Sequence, residues 1–166
     1  MTICCEGKVQ IYTGCGKGKS TAAFGLAMRM SGCGGRVLII QFQKARRCGE
    51  HASAEKLGIS IEQCPMGRGS GPCASPCPLL GKAKEILASG VDLLILDEIM
   101  AAMRHGCLSL EDAISLMDAR PAGTELVMTG RYAPKELINR ADLVTEMTKV
   151  KHYFDAGVPA RRGIEF

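Results

Sequence analysis

The chain has 166 residues, a net charge of +4, 46% hydrophobic residues and 23% charged residues. This length suits one domain with one core, so we expect residues 1–166 to form a single domain, and the composition is ordinary for a globular protein. The charge is too small to indicate nucleic-acid binding by itself. We therefore expect no nucleic-acid partner. No apolar run approaches the roughly 18 residues that span a bilayer, so we expect no membrane partner either.

The predicted strands and helices alternate along the chain. Strand 9–13 is followed by a glycine-rich segment and helix 20–30, and the continuous apolar strand 37–42 by helix 50–57 and strand 59–64. Residues 65–78 hold four prolines and three glycines and are expected to be irregular. The later elements are helix 79–89, strand 91–96, helices 99–105 and 110–119, strand 125–129, helix 134–140 and strand 143–147, with an irregular basic segment from 148 to 166. This alternation predicts an α/β fold with an open, mostly parallel β-sheet and helices on both faces.

Nine cysteines are present, an odd number. The first residues show no basic segment followed by an apolar run, so we expect no signal peptide. The cysteines are therefore expected to be reduced thiols in a cytoplasmic protein and not a disulfide framework.

The sharpest motif is the run GCGKGKST at residues 14–21. It lies between a predicted strand and a predicted helix, which is the context of a phosphate-binding P-loop. Backbone amides and the helix N-terminus would bind phosphate oxygens, Lys19 would supply a charge, and Ser20 would offer a hydroxyl to Mg²⁺. Gly14 and Gly18 enclose three residues where the usual loop has four, and Lys17 is an extra cation. A glycine-rich turn that binds nothing is the less favoured alternative.

Two acids, Asp97 and Glu98, end the strongest apolar strand. Such a pair is more often a cap for the following helix. Beside a P-loop, however, a carboxylate at this position holds Mg²⁺ directly or through water. We therefore favour a magnesium site formed by Ser20, Glu98 and Asp97.

With these motifs in place, the sequence resembles the P-loop ATP:corrinoid adenosyltransferases, the cob(I)alamin/cob(I)yrinic acid a,c-diamide adenosyltransferases. The short loop of the form Gly-x-Gly-Lys-Gly-Lys-Ser/Thr is shared with that family. Further matches are at residues 22–27, 29, 41–42, 96–99, 129–131, 133–134, 136–138, 141–147, 150–152 and 163–166.

The resemblance implies that Co(I) of a reduced corrinoid attacks C5′ of ATP and expels tripolyphosphate, in adenosylcobalamin biosynthesis or salvage. It implies catalytic roles for Lys17, Lys19 and Glu98. It also implies that Ser20 and Glu98 bind Mg²⁺, with Asp97 either as a further ligand or as a residue that orients a ligand. The nucleotide would bind at a set of residues that includes one histidine and two arginines outside the loop. These residues are Gly14, Cys15, Gly16, Lys17, Gly18, Lys19, Ser20, Thr21, Arg29, Arg131 and His152. The resemblance further implies a flavodoxin-like or other corrinoid reductant and a homodimer.

The sequence departs from the family after the third strand. Members commonly carry a Phe and a Trp there that shield the lower face of the corrin, whereas this chain has no Trp and has a cysteine-rich segment at 64–78. Cys64, Cys73 and Cys77 could bind Zn²⁺ or an iron–sulfur cluster. Their spacing lacks a compact ligand pair, so loop packing or thiol contact with the corrinoid is the favoured interpretation.

Two other functions remain as alternatives. A P-loop small-molecule kinase or ATPase would release ADP. An ATP-binding, cysteine-based metal or redox sensor would hold metal and bind nucleotide without turnover. The matches in the second half of the chain favour the adenosyltransferase.

Overall fold

The computed structural model describes residues 6–65 and 77–166. Their strands form one six-stranded sheet in the order β3-β2-β4-β5-β1-β6, in which every pair is parallel. The strands are β1 (Val9–Thr13), β2 (Val37–Gln41), β3 (Ser60–Gln63), β4 (Leu93–Asp97), β5 (Glu125–Thr129) and β6 (Leu143–Glu146). The helices are α1 (Lys19–Gly32), α2 (Gly49–Lys56), α3 (Pro78–Ala88), α4 (Ile99–Arg104), α5 (Leu110–Asp118) and α6 (Lys135–Arg140).

The middle of the sheet is fully buried. Every residue of β4 and β5 is buried, as expected for parallel strands that are covered on both faces. Successive side chains of a strand point to opposite faces. Leu94 and Leu96 accordingly join one core cluster, and Leu93 and Ile95 join the other.

Helices cover both faces of this sheet. One core cluster includes side chains from α3, α4, α5 and α6, and the other includes side chains from α1 and α2. The predicted fold class is thus confirmed, and each predicted strand and helix has a counterpart within a few residues. The parallel arrangement also brings the carboxyl ends of β1, β2 and β4 to one edge of the sheet, where ligands bind in open α/β folds.

The segment after β6 is more ordered than the sequence predicts. It contains a short 3₁₀ helix at Tyr153–Ala156, capped by the Nδ1 atom of His152, which accepts a hydrogen bond from the Phe154 N–H at 3.1 Å. Lys149 pairs with Asp155 at 2.8 Å across the same turn. Prediction missed this element because a single turn of helix leaves almost no periodic pattern.

Candidate functional site

A cavity of about 710 Å³ opens at the carboxyl edge of the sheet. Loop residues 15–18 and the first turn of α1 form one side of it. The last four residues of the chain, 163–166, form another. Lys44, Glu98, Arg131 and His152 also line it. The structure therefore brings the phosphate loop, an acidic residue and several cations around one space.

The glycines of the loop allow a close approach to the backbone that follows β6. A Cβ atom on Gly14 would lie 2.5 Å from the carbonyl oxygen of Met147, and one on Gly16 would lie 2.6 Å from it. The Gly16 N–H donates a hydrogen bond to that oxygen at 2.6 Å. Gly16 was predicted to bind phosphate, but its amide is used by this contact. Phosphate contacts must then come from other amides of the loop and from the N-terminus of α1, which begins at Lys19.

Lys19 is nearly buried, with 8% of its surface exposed. Its Nζ donates to the carbonyl oxygen of Gly16 at 2.7 Å, a contact that uses one of its three protons. Burial lowers the pKa of Lys19 from its ordinary value, although the charge of Glu98 acts in the opposite direction. The chain thus holds a poorly solvated cation at the base of the cavity, where an anionic ligand would be attracted most strongly.

Asp97 is completely buried at the end of β4 and accepts hydrogen bonds from four side chains. Ser20 Oγ and Thr129 Oγ1 donate to its Oδ1 atom at 2.8 and 2.7 Å. Gln41 Nε2 and Lys44 Nζ donate to its Oδ2 atom at 3.1 and 2.8 Å. Burial would raise the pKa of Asp97, but the charge of Lys44 and the hydrogen bonds outweigh burial and hold the pKa below its ordinary value. Asp97 therefore orients Ser20 rather than facing the cavity.

Glu98 is the acid that reaches the cavity. It has a positive φ of 61° at the start of α4, and its N–H donates to Thr129 Oγ1 at 3.0 Å. A non-glycine residue in this conformation is strained and is often found at functional sites. The turn separates the two acids, so that Asp97 points into the core and Glu98 lines the cavity.

Lys44 is a site residue that the sequence analysis did not single out. It follows β2, lines the cavity, and pairs with Asp97. Burial would lower the pKa of Lys44, but Asp97 and then Glu50 and Glu98 raise it above its ordinary value. The signal was present in the sequence, because Lys44 comes just after an apolar strand whose end lies at the same sheet edge as the P-loop.

Lys17 points toward the end of the chain. Its Nζ donates to Tyr153 Oη at 2.8 Å, to the carbonyl oxygen of Ile164 at 3.2 Å and to Glu165 Oε1 at 2.7 Å. These contacts account for its three protons. Glu165 also accepts the Arg161 N–H at 2.7 Å and the Tyr153 hydroxyl. The hydrogen bonds from Arg161, then those from Lys17 and Tyr153, hold the pKa of Glu165 well below its usual range.

The other predicted nucleotide-site residues divide into two groups. Cys15, Gly18, Thr21, Arg131 and His152 line the cavity together with the residues described above. Arg29 does not line it. It is exposed in the last turn of α1, roughly 14 Å along the helix axis from Ser20, and its charge acts on Tyr12 of β1. The position of Arg29 gives no support to its predicted role within this chain.

The cysteine prediction is only partly covered by the structure. Cys64 and Cys77 are buried in the same core cluster, which favours packing. Cys73 lies outside the described residues. Within residues 6–65 and 77–166, no group of three or more His, Cys, Asp or Glu side chains is arranged to hold a metal ion.

In the same two ranges, every helix is too short or too polar to cross a membrane.

A family model and several known proteins that are similar to this chain carry the same description. A family model described as ATP:corrinoid adenosyltransferase BtuR/CobO/CobP matches residues 5–166. A corrinoid adenosyltransferase of Pseudomonas aeruginosa is 38% identical over 97% of this chain and 84% of its own length. The corrinoid adenosyltransferases of Salmonella typhimurium and Escherichia coli are 35% and 34% identical, each over 97% of this chain and 86% of its own length.

Proposed function

This chain belongs to the ATP:corrinoid adenosyltransferase family, and we propose that its cavity holds the triphosphate of ATP while a corrinoid cobalt displaces it from the sugar. The family relationship makes the chain an enzyme that transfers the adenosyl group of ATP to a corrinoid. The observation that carries the proposal is the arrangement of Lys19, Ser20 and Glu98 around one cavity beside the phosphate loop.

The proposed step is a nucleophilic substitution at C5′ of ATP. The electron pair of Co(I) forms the cobalt–carbon bond, the bond between C5′ and its oxygen breaks, and that electron pair leaves on tripolyphosphate. Cobalt is formally oxidised from Co(I) to Co(III). Because Co(I) carries no proton, the step needs no general base.

The contribution of the protein is to stabilise the charge that develops on the leaving tripolyphosphate. Preorganised cations and amides in a site with little water are effective in this role. Lys19 supplies a nearly buried cation, Lys17 lies in the same loop, and amides at the start of α1 add donors. Arg131 and His152 line the same cavity and contact the nucleotide in this proposal.

Mg²⁺ fits the oxygen-rich side of the cavity. A serine hydroxyl and a carboxylate are ligands that Mg²⁺ prefers, and it commonly uses one or two protein ligands together with substrate phosphates. Ser20 and Glu98 both line the cavity and would hold the ion, while Asp97 orients Ser20. The bound ion would add positive charge beside the leaving group.

Two partners belong to the proposal through family resemblance. A flavodoxin-like or other corrinoid reductant supplies the electron that forms Co(I), and the enzyme acts as a homodimer. Size measurement in solution tests the homodimer. Cobalt reduction with and without a purified flavodoxin tests the reductant.

The function is tested by anaerobic incubation with ATP, Mg²⁺ and a chemically reduced corrinoid. The expected products are tripolyphosphate and an alkylated corrinoid, detected by ³¹P NMR and by the visible spectrum. Formation of ADP without a cobalt–carbon bond would instead indicate a kinase or ATPase.

A further inference from the structure

We propose that Lys44 is a catalytic residue, whose ammonium group contacts the triphosphate of ATP and stabilises the departing tripolyphosphate. Lys44 belongs to neither the phosphate loop nor the acidic pair at the end of β4. This proposal rests on the proposed function, because it concerns the same cavity.

The backbone around Lys44 is held in one arrangement. Gln43 has a positive φ of 55°, which is unfavourable for a residue with a side chain. The Gln43 side chain is buried and donates to Cys107 Sγ at 3.1 Å. On the other side, the carbonyl oxygen of Lys44 accepts from Gln63 Nε2 at 3.2 Å. The chain thus tolerates strain at Gln43 in a turn that directs Lys44 toward β4.

The ammonium group of Lys44 is fixed between the loop and β4. Its Nζ donates to Asp97 Oδ2 at 2.8 Å and lies 3.4 Å from Ser20 Oγ. Glu50 Oε1 lies at 3.9 Å, which is beyond hydrogen-bond distance. Since a lysine has three protons, these contacts leave at least one for a ligand in the cavity that Lys44 lines.

The other lysines of the cavity show why a further cation is useful. Lys17 directs its three protons to Tyr153 and the chain end. Lys19 uses one proton on the Gly16 carbonyl. Lys44 and Lys19 are therefore the two of these three lysines whose contacts leave a proton for phosphate. Lys44 lies after β2 and so approaches the cavity from outside the phosphate loop.

Lys44 could alternatively act only as the counter-ion of Asp97. In that case, removing Lys44 would weaken ligand binding because the buried carboxylate is left without its partner. Replacing Asp97 with Asn would then make Lys44 dispensable. If Lys44 contacts phosphate, its loss remains costly in the Asp97→Asn background.

The experiment is calorimetric titration with tripolyphosphate in buffer that contains EDTA. The proteins are the unchanged chain, Lys44→Met, Lys44→Arg, Asp97→Asn and the double variant Lys44→Met/Asp97→Asn. Lys82→Met on α3, whose lysine pairs with Glu85 on the same helix, is the control for loss of one positive charge. Thermal unfolding of each protein reports whether it folds.

We expect Lys44→Met to weaken tripolyphosphate binding about tenfold or more, as for loss of a charge-assisted hydrogen bond. The same loss is expected between Asp97→Asn and the double variant, with most affinity kept in Lys44→Arg and in the control. The proposal would be overturned if Lys44→Met bound tripolyphosphate within about twofold of the unchanged chain. It would also be overturned if the loss of affinity caused by Lys44→Met disappeared in the Asp97→Asn background. If Lys44→Met does not fold, the comparison in the Asp97→Asn background decides.

The result is separable from a failure of the proposed function. An unchanged chain that alkylates cobalt, together with a Lys44→Met variant that binds tripolyphosphate normally, removes only Lys44 from the mechanism. An unchanged chain that binds tripolyphosphate through Lys44 but converts ATP to ADP removes the proposed function and leaves the contact.

Discussion

Lys19 shows, at the residue scale, how a buried charge in a binding site can lower the stability of the folded chain. Its side chain is nearly buried, and burial lowers its pKa. The unfolded chain therefore binds this proton more tightly than the folded chain does. Stability should accordingly rise with pH between the lowered pKa and about 10.4, the ordinary value for lysine.

We predict that Lys19→Met lowers turnover by roughly 100-fold or more, since a donor to the developing charge is lost. At pH 7 the variant should be at least as stable to urea as the unchanged chain, because a poorly solvated charge has been removed. Its stability should also lack the rise toward pH 10. Near-normal turnover would remove Lys19 from the mechanism. Lys56→Met, on the exposed end of α2, is the control.

Asp97 gives the opposite pH dependence. Its pKa is lowered in the folded chain, so its ionised form contributes stability above about pH 3.9 that is lost as pH falls through the folded pKa. We predict that Asp97→Asn is less stable than the unchanged chain at pH 7 and that the difference shrinks progressively below about pH 4. Urea unfolding between pH 2 and 7 measures this. A difference that stays constant over that range would contradict the ionised, paired state of Asp97.

Glu98 is expected to act through magnesium. Replacement by Gln keeps the shape of the side chain but removes its charge, so we predict that half-maximal activity requires about tenfold more Mg²⁺, while saturating Mg²⁺ restores part of the rate. The measurement is a magnesium titration of turnover. An unchanged titration curve would exclude Glu98 as a ligand.

At the scale of elements, the end of the chain is coupled to the phosphate loop. Glu165 holds Lys17 at 2.7 Å and Arg161 at 3.3 Å. A polyphosphate that binds Lys17 must therefore compete with this carboxylate. We predict that Glu165→Gln tightens tripolyphosphate binding roughly two- to fivefold.

The matched control is Asp155→Asn, which removes a carboxylate paired with Lys149 in the same segment. It should leave tripolyphosphate affinity nearly unchanged. Weaker binding in Glu165→Gln would show that the carboxylate positions Lys17 and does not compete for it.

The strands and helices were predictable from sequence, because their signals are local. The apolar run of β4 and the glycine-rich loop between β1 and α1 can each be recognised from the residues of that segment alone. The motifs of Ser20 and Glu98 likewise predicted them as site residues, and both line the cavity.

The remaining site contacts could not be predicted, because they join distant parts of the sequence. Lys17 and Glu165 are 148 positions apart, and Lys44 and Asp97 are 53 positions apart. Neither pair has a sequence pattern of its own. Arg29 shows the reverse case, since a residue that matches a family pattern lies away from the cavity in this chain.

For the whole molecule, the parallel sheet determines where the chemistry is placed. The carboxyl ends of β1, β2 and β4 bring the phosphate loop, Lys44 and the two acids to one edge. The family relationship extends over nearly the full chain, so it includes this whole edge and not only the loop. The family relationship therefore favours transfer of the adenosyl group over transfer of one phosphoryl group.

The bond that breaks in ATP tests this account most directly. ATP labelled with ¹⁸O at the oxygen between C5′ and the α-phosphorus would be incubated anaerobically with the enzyme, Mg²⁺ and a Co(I) corrinoid, and the products analysed by mass spectrometry. The account predicts that all of the label leaves in tripolyphosphate and that the adenosyl group on cobalt has none. Label retained on an adenosine nucleotide, with ADP and phosphate as products, would contradict it.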